Sequence, residues 1–181
     1  YSHPPSLPAE DILLDIQDEG HQRLSDAGFE QYEVSAYATQ NRQSQHNLNY
    51  WTFGDYLALG AGAHGKVTSV AETGSGKQLA VKRHQKTRLP RDYMDPQKNF
   101  TCQSQEPDKH TLILEFMMNT LRLNQGCSLE SFKQRTGFEI HCIEKKLSTL
   151  KHRGLLESEH SILRTTPLGR RFLNDILAEF M

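Results

Sequence analysis

Between His46 and Lys66 (HNLNYWTFGDYLALGAGAHGK) the chain gathers its one tryptophan, two of its nine histidines and four of its twelve glycines. Within it, Leu57-Ala58-Leu59-Gly60-Ala61-Gly62-Ala63 is apolar but almost free of bulk. Close packing of an interior needs branched and aromatic volume, which this run does not supply. A chain lacking Cβ atoms at Gly60 and Gly62 instead lets backbone or ligand come close. The expectation is a buried strand over residues 57–63 with a ligand wall formed by the histidine and aromatic residues before it.

The whole chain has 181 residues, enough for one domain or two small ones. A hydrophobic fraction of 36% and a mean hydropathy of -0.67 belong to a polar, foldable protein rather than a disordered one. Lys and Arg total 21 against 22 Asp and Glu, and neither side of residue 105 is a basic module, so no nucleic-acid partner is expected. Cys102, Cys127 and Cys142 form no CxxC pair, which argues against a zinc or dithiol site and for a reducing, cytoplasmic setting. No signal-peptide pattern and no apolar run long enough for a membrane span are present. The opening Tyr1-Ser2-His3-Pro4-Pro5, without an initiator Met, reads as part of something longer.

Ile12, Leu13, Ile16, Leu24 and Ala27 recur at helical spacing before Gly28, and Tyr32 to Ala38 alternates as a strand does. Helix, glycine turn and strand together predict the αβ half of a βαβ repeat and hence a parallel sheet. Val67–Val70 and Leu79–His84 flank a turn-rich link and predict a hairpin. Its Gly74-Ser75-Gly76-Lys77 is no phosphate loop, because Ala71 and Gln78 stand where a glycine and a Ser/Thr belong. Residues 85–105 read as a polar connector with at most one short helix. A second module then follows: a helix from Pro107 to Gly126, a helix capped by Ser128 and stopped by Gly137, a third ending at Gly154, strands at 155–157 and 162–165 around Ser158-Glu159-His160, and a last helix after Thr166-Pro167 with Leu168, Phe172, Ile176 and Phe180 inward. That order is the order of a winged helix. The fold class is therefore α/β plus α+β, divided into residues 1–100 and 105–181.

His46 is either a metal or haem-iron ligand or a structural histidine bonded to a neighbouring strand. Tyr50 and Trp51 offer flat surface with a polar tip each, for stacking or for ordinary packing, and Asn47 and Asn49 need partners if buried. His64 is a candidate at the end of the small-residue strand, or simply a turn residue. Arg83, His84, Lys86, Arg88 and Arg91 can pair with propionates or phosphates, or form a solvated edge. Lys145, Lys146, Lys151, His152 and Arg153 on the third helix of the second module would read DNA if it bound any, but Glu139 and Glu144 dilute that charge. No paired-carboxylate site, nucleophile elbow or HExxH is found.

The residues Tyr32–Ala38, His46-Asn47-Leu48-Asn49-Tyr50-Trp51, Gly54-Asp55-Tyr56-Leu57 and Gly60–Lys66 closely resemble the C-terminal half of the HemW family of radical SAM proteins, haem chaperones related to oxygen-independent coproporphyrinogen III oxidase. The resemblance covers the whole chain. It implies a partial (β/α) barrel whose N-terminal half, absent here, carries a CxxxCxxC motif, a [4Fe-4S] cluster and S-adenosylmethionine, so that this part is inactive alone. It also implies that His46 binds haem iron, with Asn47, Tyr50 and Trp51 lining the site and haem passing to haemoproteins. His64, Arg83 and Arg88 remain weaker candidates. Many relatives have a cysteine where Ser44 stands, which removes a thiolate contribution. The alternatives are the substrate side of a true coproporphyrinogen III oxidase in porphyrin metabolism, and a winged-helix nucleic-acid-binding protein. An unpaired strand edge left by the missing barrel half predicts self-association.

Overall fold

The computed structural model describes residues 6–73, 76–159 and 161–181, with the side chains of 73–78 left aside. The readings made at Tyr1–Pro5, at Gly74-Ser75 and at His160 lie outside the described residues. The chain forms two compact units, Tyr1–Ser44 and Gln45–Met181. The composition change near residue 105 falls inside the second.

In the first unit, α1 (Glu10–Asp26) carries Glu10 and Asp11 in its first turn and Arg23 in its last, complementing the helix dipole. Gly28, at φ 81°, turns the chain into β1 (Glu30–Glu33), which pairs antiparallel with β2 (Ala36–Ala38). The single strand expected over residues 32–38 is thus two. The buried Glu33 carboxylate accepts from the Ser35 amide at 3.1 Å and its hydroxyl at 2.9 Å, and this local bond reverses the chain between Val34 and Ala36. A side-chain pattern of period two cannot reveal such a reversal.

The second unit starts with α2 (Gln45–Trp51), so the HNLNYW block is helical. Its end is a Schellman motif: Gly54 N–H donates to Asn49 O at 2.7 Å and Phe53 N–H to Tyr50 O at 2.9 Å, with Phe53 in the left-handed position at φ 57°. Glycine usually fills that position, because a side chain there costs about 1–2 kcal/mol. Burial of the Phe53 ring in the core offsets the cost.

β3 (His64–Thr73), β4 (Gly76–Lys86) and β5 (Thr101–Gln105) form an antiparallel sheet in that order. The hairpin is as expected, though longer, and β5 arises in the presumed connector, which also holds α3 (Pro90–Tyr93). Every strand pairing among the described residues is antiparallel, in contrast to the expected parallel sheet. Residues 57–63 form no strand: Tyr56 bridges Lys66, after which Leu57 and Leu59 are 75% and 80% exposed. Small side chains give this run too little to bury, so it stays an irregular loop.

The helical part follows: α4 (Lys109–Thr120), β6 (Cys127–Ser128), α5 (Leu129–Thr136), a 3-10 turn at Ile140–Cys142, α6 (Glu144–His152), β7 (Ile162–Leu163), α7 (Pro167–Arg171) and α8 (Leu173–Ala178). Asp108, Ser128 and Thr166 cap their helices with side-chain oxygens, and Gly137 at φ 77° ends α5. Two expectations change. The helix expected to run to Gly126 stops at Thr120, and the last helix breaks at Phe172, which with Leu168 is 48% exposed rather than inward. β7 pairs with β6, while Leu156 makes only an isolated bridge to Thr165.

One core joins these parts. Phe116 packs edge-on against Phe53 at 5.5 Å and Phe132 at 5.3 Å, so the loop after α2 and the helices on either side of residue 120 bury the same apolar surface.

Candidate functional site

Register decides which side chains share a face of the sheet. His64 lies opposite Gln85 and Gln85 opposite Gln103; one step of two along, Lys66 lies opposite Arg83 and Arg83 opposite Gln105. Because alternate residues of a strand point to the same side, these six side chains form two adjacent rows on one face. Each lines a cleft of about 420 Å³, which Tyr50 of α2, Tyr56 and residues Glu115, Met118 and Asn119 of α4 close from above. That volume lies in the range of small-molecule sites.

The floor is fixed by buried charge. Lys66, 1% exposed, donates from Nζ to Asp55 Oδ1 at 2.9 Å and to the Phe53 carbonyl at 3.0 Å, with the Phe53 ring centroid 4.3 Å away. The lysine therefore holds the left-handed turn that ends α2. Burial lowers the Lys66 pKa against the hydrogen bond and charge of Asp55. At Asp55 desolvation pushes upward, yet hydrogen bonds from Lys66 and Thr68 outweigh it and hold the carboxyl below its ordinary range. Arg83 Nη1 donates to Tyr56 Oη at 2.8 Å and Nη2 pairs with Glu115, whereas the buried Nε has no partner among the described residues.

An aromatic wall runs up one side. Tyr50 lies 4.5 Å from Tyr56, and His46, one helical turn before Tyr50, packs edge-on against it at 4.8 Å. His46 is exposed beside the cleft rather than within it. Trp51 faces elsewhere: the Arg122 guanidinium stacks over its ring at 4.3 Å, and its buried Nε1 has no partner among the described residues. Asn47 is half-buried, and Asn49 donates to the Asp55 carbonyl at 2.9 Å, tying the helix to the following loop. A Cβ at Gly54 would stand 2.8 Å from the Asn49 backbone oxygen, so glycine is required there.

Of the weaker candidates, His64 and Arg83 line the cleft and Arg88 does not; it is exposed next to Gly62. The basic cluster of residues 83–91 is dispersed, with Lys86 bonded to Thr101 at 2.8 Å and Arg91 beside Asp92 at 3.7 Å. Two of the cations of α6 are engaged within their own module: Lys146 with the Glu179 carbonyl at 2.5 Å and Lys151 with the Glu159 carbonyl at 3.0 Å. Cys102 is exposed on β5, Cys127 and Cys142 are half-buried, and among the described residues no three His, Cys, Asp or Glu side chains are grouped to hold a metal. Among the described residues no helix is long and apolar enough to cross a membrane.

Sequence reasoning missed Tyr56, Lys66, Glu115 and the three glutamines. The period-two spacing of Gln103 and Gln105 in a strand-competent TCQSQ was the available signal.

Residues 108–172 match the HemN C-terminal domain family. The chain is 40% identical over 180 residues to the heme chaperone HemW of Escherichia coli, covering 99% of this chain and 45% of that protein. It is 37% identical over 178 residues to the heme chaperone HemW of Haemophilus influenzae, covering 98% and 44%. Its fold matches the Escherichia coli coproporphyrinogen III oxidase HemN, a radical SAM enzyme, with a TM-score of 0.61 at 16% identity, over 96% of this chain and 42% of that one. The chain thus spans under half the length of the relatives it matches.

Proposed function

We propose, from the premise that this chain belongs to the HemW family and carries a HemN C-terminal domain, that it is the haem-holding part of a haem chaperone. The observation that carries this reading is the α2 arrangement, in which His46 packs edge-on against Tyr50 at 4.8 Å and Tyr50 joins Tyr56 on the wall of the cleft. Haem here is cargo: an imidazole supplies the donor nitrogen, the tyrosines supply flat apolar surface, and the arginine and amide groups below them supply polar contacts. His46 acts as the iron ligand and Tyr50 lines the site, with Asn47 beside them on α2 and Trp51 anchoring that helix through its stack with Arg122.

In this reading residues 1–100 belong to a partial (β/α) barrel completed by a further segment bearing the [4Fe-4S] cluster and S-adenosylmethionine, and residues 105–181 form a winged-helix-like module. The work is cytoplasmic, and the recipients are haemoproteins. Haem titration followed at the Soret band tests it: His46→Ala weakens binding at least tenfold and shifts the band. An unchanged band and affinity would remove His46 from the ligand role.

A second reading, the substrate side of an oxygen-independent coproporphyrinogen III oxidase, is favoured by the HemN-like fold. It predicts that coproporphyrinogen binds in preference to haem and that His46→Ala leaves this preference intact.

A further inference from the structure

The HNLNYW block accounts for the aromatic wall but leaves the two polar rows of the sheet without a task. Glutamine amides neither ligate iron well nor pack against an apolar ring. Their nitrogens donate hydrogen bonds, and Gln103 Nε2 already does so to Gln105 Oε1 at 3.0 Å, which keeps both side chains on the cleft face. Beside them Arg83 spends one proton on Tyr56 and one on Glu115, while its Nε–H is buried with no acceptor. A buried donor without an acceptor carries the cost of its own desolvation, and the Arg83 Nε–H has no acceptor among the described residues. A group rich in lone pairs would supply one. A carboxylate, with about four acceptor positions and a formal charge, does so best.

We infer that the sheet face formed by His64, Gln85 and Gln103 with Arg83 and Gln105 receives the carboxylate-bearing edge of the ligand, while the Tyr50–Tyr56 wall takes its flat body. This rests on the haem reading and deepens it. Affinity then comes in part from the side-chain acids of the tetrapyrrole, independently of iron.

The test compares haem with haem dimethyl ester, titrated into the 181-residue chain in one detergent-containing buffer and read at the Soret band, with iron-free protoporphyrin and its dimethyl ester read by fluorescence. The free acids bind about tenfold tighter than the esters, as expected for loss of one hydrogen bond to a charged acceptor. A Gln85→Leu, Gln103→Leu double variant, altering one half-buried and one exposed side chain away from the core, lowers the affinity of the acids about tenfold and leaves that of the esters unchanged. Equal affinity of acid and ester in the unaltered chain, or an equal loss of both in the variant, overturns the inference while the haem reading stands. Absence of any Soret change with either form sinks the haem reading and this inference together.

Discussion

Lys66 Nζ and Asp55 Oδ1 are 2.9 Å apart at the base of the cleft, the lysine sealed from solvent and the aspartate 38% exposed. Breaking such a pair from the aspartate side strands a buried cation, which costs about 3–5 kcal/mol. Asp55→Asn is expected to destabilise the chain by at least about 3 kcal/mol in urea unfolding, and Lys66→Met by less, because methionine brings no charge to be solvated. Equal losses in the two variants would mean that the pair is not the source of the effect.

The same pair sets a pH dependence. Asp55 has a folded pKa below its unfolded value, so its contribution is present above about pH 4 and is lost as pH falls through the folded value. Lys66 has a folded pKa below its unfolded value near 10.5, so between the two the unfolded chain binds more protons and stability rises with pH. Unfolding free energies measured across alkaline pH should climb toward 10.5 in the native chain, and Lys66→Met should flatten that climb. A native profile that falls steadily over this interval would contradict a Lys66 ammonium whose desolvation outweighs its pairing with Asp55.

How much of this was legible in the sequence depends on how local each cause is. Ser128, Gly137 and Thr166 punctuate the second unit through bonds spanning two to four residues, and all three were readable as caps and stops. The block from His46 to Trp51 was recognisable as chemistry, but its helical form depends on Phe53 accepting a left-handed conformation, which only the core around Phe116 and the Lys66 clamp make tolerable. Leu57–Ala63 looked like a strand by composition, yet a strand needs side chains worth burying. The glutamine rows were hard to see because they exist only through the register of three strands whose third member, β5, lacks an apolar pattern and is hinted at only by the spacing of Gln103 and Gln105.

Thiol reactivity offers a check on the packing of the second unit. Burial pushes the Cys127 thiol up to about 11, against a weaker downward pull from Thr120, whereas Cys102 is exposed on the edge strand β5. Only thiolate attacks a disulfide reagent, so at pH 8 Cys102 should be modified first and Cys127 only at the rate of unfolding. Mass mapping of early adducts decides this. Early modification of Cys127 would show that the region around β6 opens far more readily than its burial allows.

In the first unit, α1 presents an apolar surface without burying any of its residues. Ile12, Leu13, Leu14 and Ile16 are 52%, 39%, 43% and 58% exposed within two turns of helix. Removing each such side chain from water is worth about 1.5–3 kcal/mol when complete, so this cluster, with Ile12 and Ile16 one turn apart on a single face, is a driver of association. The 181-residue chain is therefore expected to self-associate through α1, by apolar contact rather than through the strand edge anticipated from the sequence. Gel filtration over a hundredfold concentration range should show a shift toward larger species, and Ile12→Glu with Ile16→Glu should abolish it while leaving the helix content by circular dichroism unchanged, since both sites are exposed. Monomeric elution of the unaltered chain at every concentration would show that this cluster is tolerated in water, and a shift that persists in the double variant would move the interface off α1.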